Sequence, residues 1–339
     1  MSGPGRVDRR GNSEPHARLR LAVRPWGLIG AAGAVAGLAS ILGFFAYFAW
    51  FLDLFSHFRV QYFCALSVAA LLLLIPRQRR AAAVFGLLAA VNLCTIVPLY
   101  FGGTSAPRPH ERPMRAMLMN VNTASGQPAR VADAVRQYGP DIVVLEEVSA
   151  RWITELRPVL AAYPHAHLEP REDNFGIALL SRYPFARCRT LSIGDAGVPS
   201  VVAEIETPHG RCTVMATHPL PPGGRSYSRW RNAQLAALPG YVRSAGSPVL
   251  LLGDLNVTAW SPHFRRLLRD SGLRDSSQGR GVQPTWPTYS PLLWIPIDHC
   301  LHSPEIAIMR KEVGPDVGSD HYPLIVDFVL RADGGTNGP

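Results

Sequence analysis

The chain has 339 residues, 47% of them hydrophobic and only 17% charged, which is apolar-rich and charge-poor for one soluble protein. Its formal charge of +9 would ordinarily point to a polyanionic partner, yet from Met114 to the end 22 Arg plus Lys stand against 21 Asp plus Glu. The surplus therefore belongs to the amino-terminal part, and there is no strong case for nucleic acid. Five cysteines without a Cys-x-x-Cys spacing supply neither a disulfide framework nor a zinc motif.

Residues 1–25 form a basic tail carrying Arg6, Arg9, Arg10, Arg18, Arg20 and Arg24. Residues 26–103 are almost entirely apolar or small and divide into three stretches, about 26–50, 60–76 and 81–101, each near the length needed to cross a bilayer. A signal peptide has one apolar region of roughly 7 to 15 residues, so it does not account for three. Between the first two stretches lie Asp53, His57 and Arg59; between the last two lies Arg77-Gln78-Arg79-Arg80. The bias of arginine puts the amino terminus and the second loop in the cytoplasm, so three crossings carry everything after about residue 103 outside it. The expected location is a multi-pass cell-membrane protein.

A proline-broken linker, 104–113, leads to a region 114–330 of alternating strands and helices; 331–339 reads as a flexible tail. The linker reaches at most about 35 Å, which keeps the region close to the bilayer. Strands are expected at 115–121, 141–145, 175–180, 188–193, 201–206, 212–217 and 248–252, and helices at 128–138, after a Ser149 cap, and at 227–238. A sheet-rich middle with helices outside suggests two packed sheets flanked by helices. Cys188 and Cys212 could pair if their strands are neighbours. The stretch Trp286 to Trp294 is either packing beneath a loop or an interfacial loop.

Chemistry gathers at the strand ends. Asn120 and Asn122, Glu146 and Glu147, His218, Asp254 and Asn256, Asp298, and Asp320 with His321 all stand where an apolar run begins or stops. A buried strand such as Pro248 to Leu252, ending in Gly253-Asp254-Leu255-Asn256, must deliver its carboxylate to a rim, because a carboxylate left in the core would be desolvated without a partner. If strand geometry continues, Asp254 and Asn256 face one side while Leu255 anchors in the core. Carboxylate and amide oxygens are hard ligands suited to Mg²⁺ or Mn²⁺ rather than zinc.

The ordered set Asn120, Leu145-Glu146-Glu147, Gly176 to Pro184, Thr217-His218, Gly253-Asp254-Leu255-Asn256, Ile297-Asp298-His299 and Gly318-Ser319-Asp320-His321 resembles the endonuclease/exonuclease/phosphatase superfamily throughout 114–330. The resemblance implies a four-layer α/β/β/α sandwich that hydrolyses phosphate esters with Mg²⁺. By position it implies Glu147 as the principal metal ligand with Asn120 and Asp320 nearby, and Asp254 as the group that activates or orients water. It further implies that Asn256 positions the phosphate, that Asp298 holds His321 against it, and that His218 stabilises the phosphorus centre or assists the leaving group. Glu146 stands where many members of the superfamily have Gln, leaving open which of the glutamates is the ligand. Thr217-His218 looks like the phosphatase, sphingomyelinase and secreted-nuclease branches. Three amino-terminal spans before an external domain resemble the VanJ-type membrane proteins of glycopeptide (teicoplanin) resistance. That likeness implies a phosphatase of a lipid-linked pyrophosphate of cell-wall synthesis, undecaprenyl pyrophosphate above all; a tethered extracellular nuclease or phospholipid phosphodiesterase is the alternative.

Overall fold

The computed structural model describes residues 25–103, 112–246 and 248–331. The arginines of the amino-terminal tail, most of the linker and nearly all of the carboxy-terminal tail lie outside the described residues.

Three helical runs are long and apolar enough to cross a membrane: Pro25–Phe45, Trp50–Leu74 and Arg79–Tyr100. The first contains α1 (Pro25–Leu42); the second contains α2 (Trp50–Leu54), a 3-10 turn (Phe55–Phe58) and α3 (Arg59–Leu74); the third contains α4 (Arg79–Ile96). Small residues let the runs approach closely, and a Cβ at Gly33 would come within 2.5 Å of the Phe85 ring. Ser40, Asn92 and Arg59 bond to one another inside the bundle, with Asn92 Nδ2 donating to Ser40 Oγ at 2.7 Å and Arg59 to the Ser40 carbonyl at 3.0 Å. The residues expected to form a short turn, 51–59, are helical instead, and Asp53, His57 and Arg59 are buried. Polar residues between apolar runs read as a loop, but here each finds a partner and so stays in the helix.

The rest is built of β1 (Met114–Asn120), α5 (Pro128–Tyr138), β2 (Ile142–Glu146), α6 (Ala150–Glu155), α7 (Arg157–Leu160), β3 (His165–Glu169), β4 (Ile177–Ser181), β5 (Phe185–Ser192) and β6 (Pro199–Thr207). There follow β7 (Gly210–Thr217), α8 (Arg225–Arg243), β8 (Val249–Asp254), α9 (Pro262–Ser271), β9 (Arg274–Asp275), β10 (Asp298–His302), β11 (Ile306–Val313) and β12 (Leu324–Leu330). Two six-stranded sheets result, ordered β11-β12-β1-β2-β4-β3 and β5-β6-β7-β8-β10-β9. Each has one central parallel pair, β1 with β2 and β7 with β8, and is otherwise antiparallel.

Alternation along the strands assigns the layers. Leu118 and Val144 of the first sheet face Leu250 and Leu252 of the second in one shared core. Their neighbours Met117, Met119 and Val143 turn outward against Val131 of α5 and Trp152 of α6. Leu251 and Met215 turn the other way, against Leu235 of α8 and Phe264 of α9. The four-layer α/β/β/α order expected from the sequence is thus present.

Three local expectations fail. Ser149 makes no capping bond; the Ala150 amide donates instead to Glu172 Oε1 at 3.0 Å. The third helix runs from Arg225 to Arg243, well beyond 227–238, and tolerates Pro239. Cys188 and Cys212 sit on β5 and β7, which β6 separates, so their Cα atoms are further apart than a disulfide spans, and all five cysteines are free.

Among the described residues the sheets meet the apolar helices at one end. Gln61 Nε2 donates to the Trp294 carbonyl at 2.8 Å, Trp260 Nε1 to the Thr95 carbonyl at 3.1 Å, and the Gly281 amide to the Leu99 carbonyl at 2.9 Å. Those positions lie toward the Trp50 end of the second run and the Tyr100 end of the third, the two ends that share a side in an up-and-down arrangement.

Candidate active site

Strand register brings the chemistry to one edge. Asn120 pairs across from Glu146, and Asp298 from Asp254, so four functional positions end adjacent strands in two facing sheets. Gly253 permits the close approach of the neighbouring strand β7, since a Cβ there would collide with the Thr217 carbonyl, and it leaves room for Glu146 Oε1 of the facing sheet, which would lie 3.2 Å from that Cβ. The residues just past the strands then turn. Asn122, Glu147 and Asn256 all have left-handed φ, at 54°, 62° and 52°, an uncommon state for residues with a side chain that is concentrated at functional sites.

Asp254 and Asn256 reach the same cavity by a route other than continued strand. β8 stops at Asp254, and the Asn256 amide donates to Asp254 Oδ1 at 2.9 Å, closing an Asx turn, while Leu255 is fully buried in the outer core. Asn256 Nδ2 donates to the Pro219 carbonyl at 3.0 Å, tying this turn to the residue after His218.

The cavity measures about 650 Å³ and is lined by Glu147, His218, Asp254, Asn256, Asp320 and His321 among others. The remaining two expected residues stand directly behind. Asn120 donates through Nδ2 to Glu147 Oε1 at 2.9 Å, and Asp298 Oδ2 bonds His321 Nδ1 at 2.9 Å. All eight are therefore brought together.

Electrostatics follow from this packing. Asp254 Oδ2 lies 3.6 Å from His218 Nε2 and 3.7 Å from His321 Nε2. Burial would raise the Asp254 pKa, but the two rings and the Asn256 amide outweigh it and hold the carboxylate below its ordinary range. Burial likewise works against charge on the rings and is overcome: Asp254 and Glu146 push His218 up to about 9, and Asp298 and Asp254 push His321 up to about 10. An anionic carboxylate between two imidazolium rings can take a proton from water while the rings stabilise anionic phosphoryl oxygens.

These raised values set a pH dependence. The charge contribution of each ring to stability is complete below the ordinary value of 6.5 and is lost as pH rises through about 9 for His218 and about 10 for His321. We expect the melting temperature of the full chain, followed from pH 7 to 10.5, to fall on the alkaline side, and His218→Gln to flatten the earlier part of that fall. An alkaline limb unchanged in His218→Gln would contradict the assignment.

The two adjacent glutamates separate cleanly. Glu146 is the last residue of β2 and points between the sheets, where its Oε2 accepts from the Asp254 amide at 2.9 Å; burial pushes its pKa up to about 8, so it is protonated at neutral pH. A neutral carboxylic acid is close in shape and charge to glutamine, which explains why either residue fits this position. Glu147 has left the strand and faces the cavity. We expect Glu146→Gln to keep kcat within about threefold and Glu147→Gln to lose about a hundredfold or more in metal-titrated turnover; equal losses would undo the distinction.

Glu147, Asn120 and Asp320 present the hard oxygens that a divalent cation takes. Asn120 Oδ1 and the Asp320 carboxylate each keep acceptor capacity beyond their present bonds to the Asn122 amide, Asn122 Nδ2 and Trp286 Nε1. A second group, Asp254, Asp298 and His321, has ligand atoms within 4.8 Å of one another. His321 bonds Asp298 through Nδ1 at 2.9 Å and holds Nε2 3.7 Å from Asp254 Oδ2, a geometry that suits the passing of a proton.

Sequence reasoning missed one wall. Leu54, His57 and Phe58 of the second apolar run also line the cavity, together with Trp286, Ile295 and Ile297. The signal was present, since ionisable residues beside an apolar run usually have a functional partner. Trp286 and Asn122, both bonded to Asp320, were likewise not assigned roles. The stretch after Trp286 is exposed at Tyr289, Leu292, Leu293 and Trp294 and does not pack beneath a loop.

Residues 117–321 match the sequence profile of the Endonuclease/Exonuclease/phosphatase family. No curated protein sequence matches the chain. Among solved structures it is similar to an endonuclease/exonuclease/phosphatase from Beutenbergia cavernae, with 22% identity, 66% of this chain and 72% of that one covered, and a TM-score of 0.54. It is similar to a mannosyl-6-phosphatase from Bacteroides thetaiotaomicron at 16% identity, covering 64% and 100%, with a TM-score of 0.53. It is also similar to D. rerio TDP2 complexed with a single-strand DNA product, at 16% identity over 65% and 100%, with a TM-score of 0.54. At these identities the likeness bears on fold, which it shares.

Proposed function

Because the chain belongs to the endonuclease/exonuclease/phosphatase family, whose enzymes hydrolyse phosphate esters and generally depend on a divalent metal, we propose that it is a membrane-anchored phosphohydrolase acting on a lipid-linked phosphate. The observation that carries this reading is the composition of the cavity. Its catalytic residues share one space with Leu54, His57 and Phe58, which belong to a run able to cross a membrane. A substrate lodged there meets phosphate chemistry on one side and membrane helix on the other, which fits an amphiphile better than a nucleic acid. None of Arg225, Arg229, Arg231, Arg265 and Arg266 lines the cavity, so these cations do not crowd around the catalytic residues as a polynucleotide site would want. The preferred substrate is a lipid pyrophosphate of cell-wall synthesis such as undecaprenyl pyrophosphate. With the amino terminus cytoplasmic, as the arginine bias favours, the catalytic domain works at the outer leaflet. A part in glycopeptide resistance would follow from the VanJ-type architecture alone.

In this mechanism Glu147, Asn120 and Asp320 would hold Mg²⁺ or Mn²⁺, which would supply charge neutralisation of the phosphate oxygens. Asp254 orients and deprotonates the attacking water, Asn256 positions the phosphate, and His321, held by Asp298, contacts a phosphoryl oxygen. His218 stabilises the pentacoordinate phosphorus or delivers a proton to the leaving group. Full chain in detergent with Mg²⁺ is expected to release phosphate from undecaprenyl pyrophosphate and to leave single-stranded DNA uncut. DNA cleavage without lipid turnover would replace the reading with a tethered nuclease.

A further inference from the structure

The second membrane run does more than anchor. Asp53 and His57 lie at its catalytic-domain end, and His57 is buried with Nδ1 bonded to Thr258 Oγ1 at 3.0 Å. Thr258 follows the turn that carries Asn256, so this imidazole is fixed to the catalytic loop. Its other nitrogen, Nε2, is buried and has no partner, although the residue lines the catalytic cavity. A buried polar atom without a partner costs stability unless something else satisfies it. The Thr258 hydroxyl can donate to Nδ1, and that tautomer puts the imidazole proton on Nε2. That leaves a donor without a partner on a residue that lines the cavity holding the catalytic side chains.

On its Nδ1 side His57 meets Thr258 and Ser56, whereas the part of the cavity it lines is shared with apolar side chains. Leu54 and Phe58 flank His57 on the helix, and Ile295 and Ile297 face it from the sheet side of the same cavity. The chain leading to Ile295 is bound to the membrane run itself, through Gln61 Nε2 and the Trp294 carbonyl at 2.8 Å, and exposes Leu292 at 83% and Leu293 at 43% next to it. Gln61 is 11 positions beyond Trp50, which corresponds to about 16 Å along a helix. The exposed leucines therefore lie alongside an apolar run, and where that run crosses a bilayer acyl chains would be their neighbours.

We propose that the Leu54, His57 and Phe58 segment is a substrate subsite, in which His57 Nε2 donates to a phosphate oxygen of a lipid-linked phosphate while Leu54, Phe58, Ile295 and Ile297 take the first carbons of its chain. This rests on the lipid-phosphate reading and deepens it by making the membrane run part of the binding site. His57 is a binding residue in this scheme. It makes the same contact in the ground and transition states, so its loss acts on KM and not on kcat.

The test uses the full chain in detergent with Mg²⁺ and undecaprenyl pyrophosphate as the probe. His57→Phe keeps the ring volume without a donor, His57→Gln restores an amide donor, and Thr258→Val removes the bond that fixes the ring. Thermal unfolding is recorded for each, and Thr258→Val, with its expected rise in KM at unchanged kcat, still decides the question should His57→Phe fail to fold. The expected result is a KM raised about ten- to a hundredfold in His57→Phe with kcat within about twofold. His57→Gln recovers most of that loss, and Thr258→Val shows a smaller rise. If His57→Phe and Thr258→Val both lower kcat alike with KM unmoved, the histidine merely braces the Asn256 loop and the subsite is overturned while lipid turnover by the wild type stands. If the wild type turns over no lipid phosphate at all, the lipid reading falls and the subsite falls with it.

Discussion

Asp254→Ala is expected to reduce kcat on any phosphate ester about a thousandfold or more while the two sheets remain folded. The carboxylate is the shared counter-ion of His218 at 3.6 Å and His321 at 3.7 Å, so its removal acts twice. The proton acceptor for water disappears, a loss of about 10²–10⁴ for a positioned general base. Both rings also lose a main source of their raised pKa values of about 9 and 10, so the cavity holds less positive charge at the moment phosphoryl charge develops. Asp254→Asn refines the result. An amide oxygen can still accept from the Asn256 amide and keep the Asx turn, so Asn256 stays in place and only the charge is removed. We expect its kcat to be nearly as low as that of the alanine variant, with a melting temperature closer to wild type. Single-turnover phosphate release together with thermal unfolding decides the matter. A kcat within tenfold of wild type in both variants would show that Asp254 is not the group that handles the water.

The residues of this site could be read from sequence because short buried strands leave little choice. Val249 to Leu252 is apolar on both faces, so Asp254 and Asn256 had to emerge at a rim, and the same logic holds for Glu147 just past β2 and for His218 after Cys212 to Thr217. What sequence could not supply was direction. Glu146 and Glu147 are adjacent and chemically alike, and only the left-handed turn at Glu147, with the Asp254 amide reaching Glu146 from the other sheet, assigns one to the cavity and the other to the space between sheets. Edge elements were equally hidden. β3 is half-exposed, with no apolar run to mark it, and gains its identity from pairing with β4. α9 begins at Ser261-Pro262, a legible start signal, since Ser261 Oγ accepts from the His263 amide at 3.3 Å, but it was passed over between two stronger strands. The seating of the second apolar run against the sheets could not be read at all, because the burial of Asp53 and His57 depends on partners some 200 positions later.

Those partners make Asp53 the residue on which the two halves of the molecule depend. Its carboxylate is fully buried, pairs with Arg231 at 2.6 Å and accepts from Ser261 Oγ at 2.9 Å; Arg231 in turn donates to the Asn256 carbonyl at 3.0 Å. Burial pulls the Arg231 guanidinium below its ordinary pKa even with Asp53 beside it, a sign of how dry the setting is. Asp53→Ala strands that guanidinium without a counter-ion, which costs about 3–5 kcal/mol for a buried pair broken on one side. The expected drop in melting temperature is on the order of 10 °C, and kcat should fall as well, because the freed arginine no longer holds the loop that bears Asn256. The double variant Asp53→Leu with Arg231→Met separates the two effects. Apolar residues of similar volume commonly replace a buried ion pair at no loss of stability, so the melting temperature should return toward wild type. The Asn256 carbonyl, however, has still lost its donor, and kcat should stay low. A double variant that recovers both would reduce the ion pair to simple packing; an Asp53→Ala variant that melts like wild type would mean that the membrane run and the catalytic sheets are not joined through this pair.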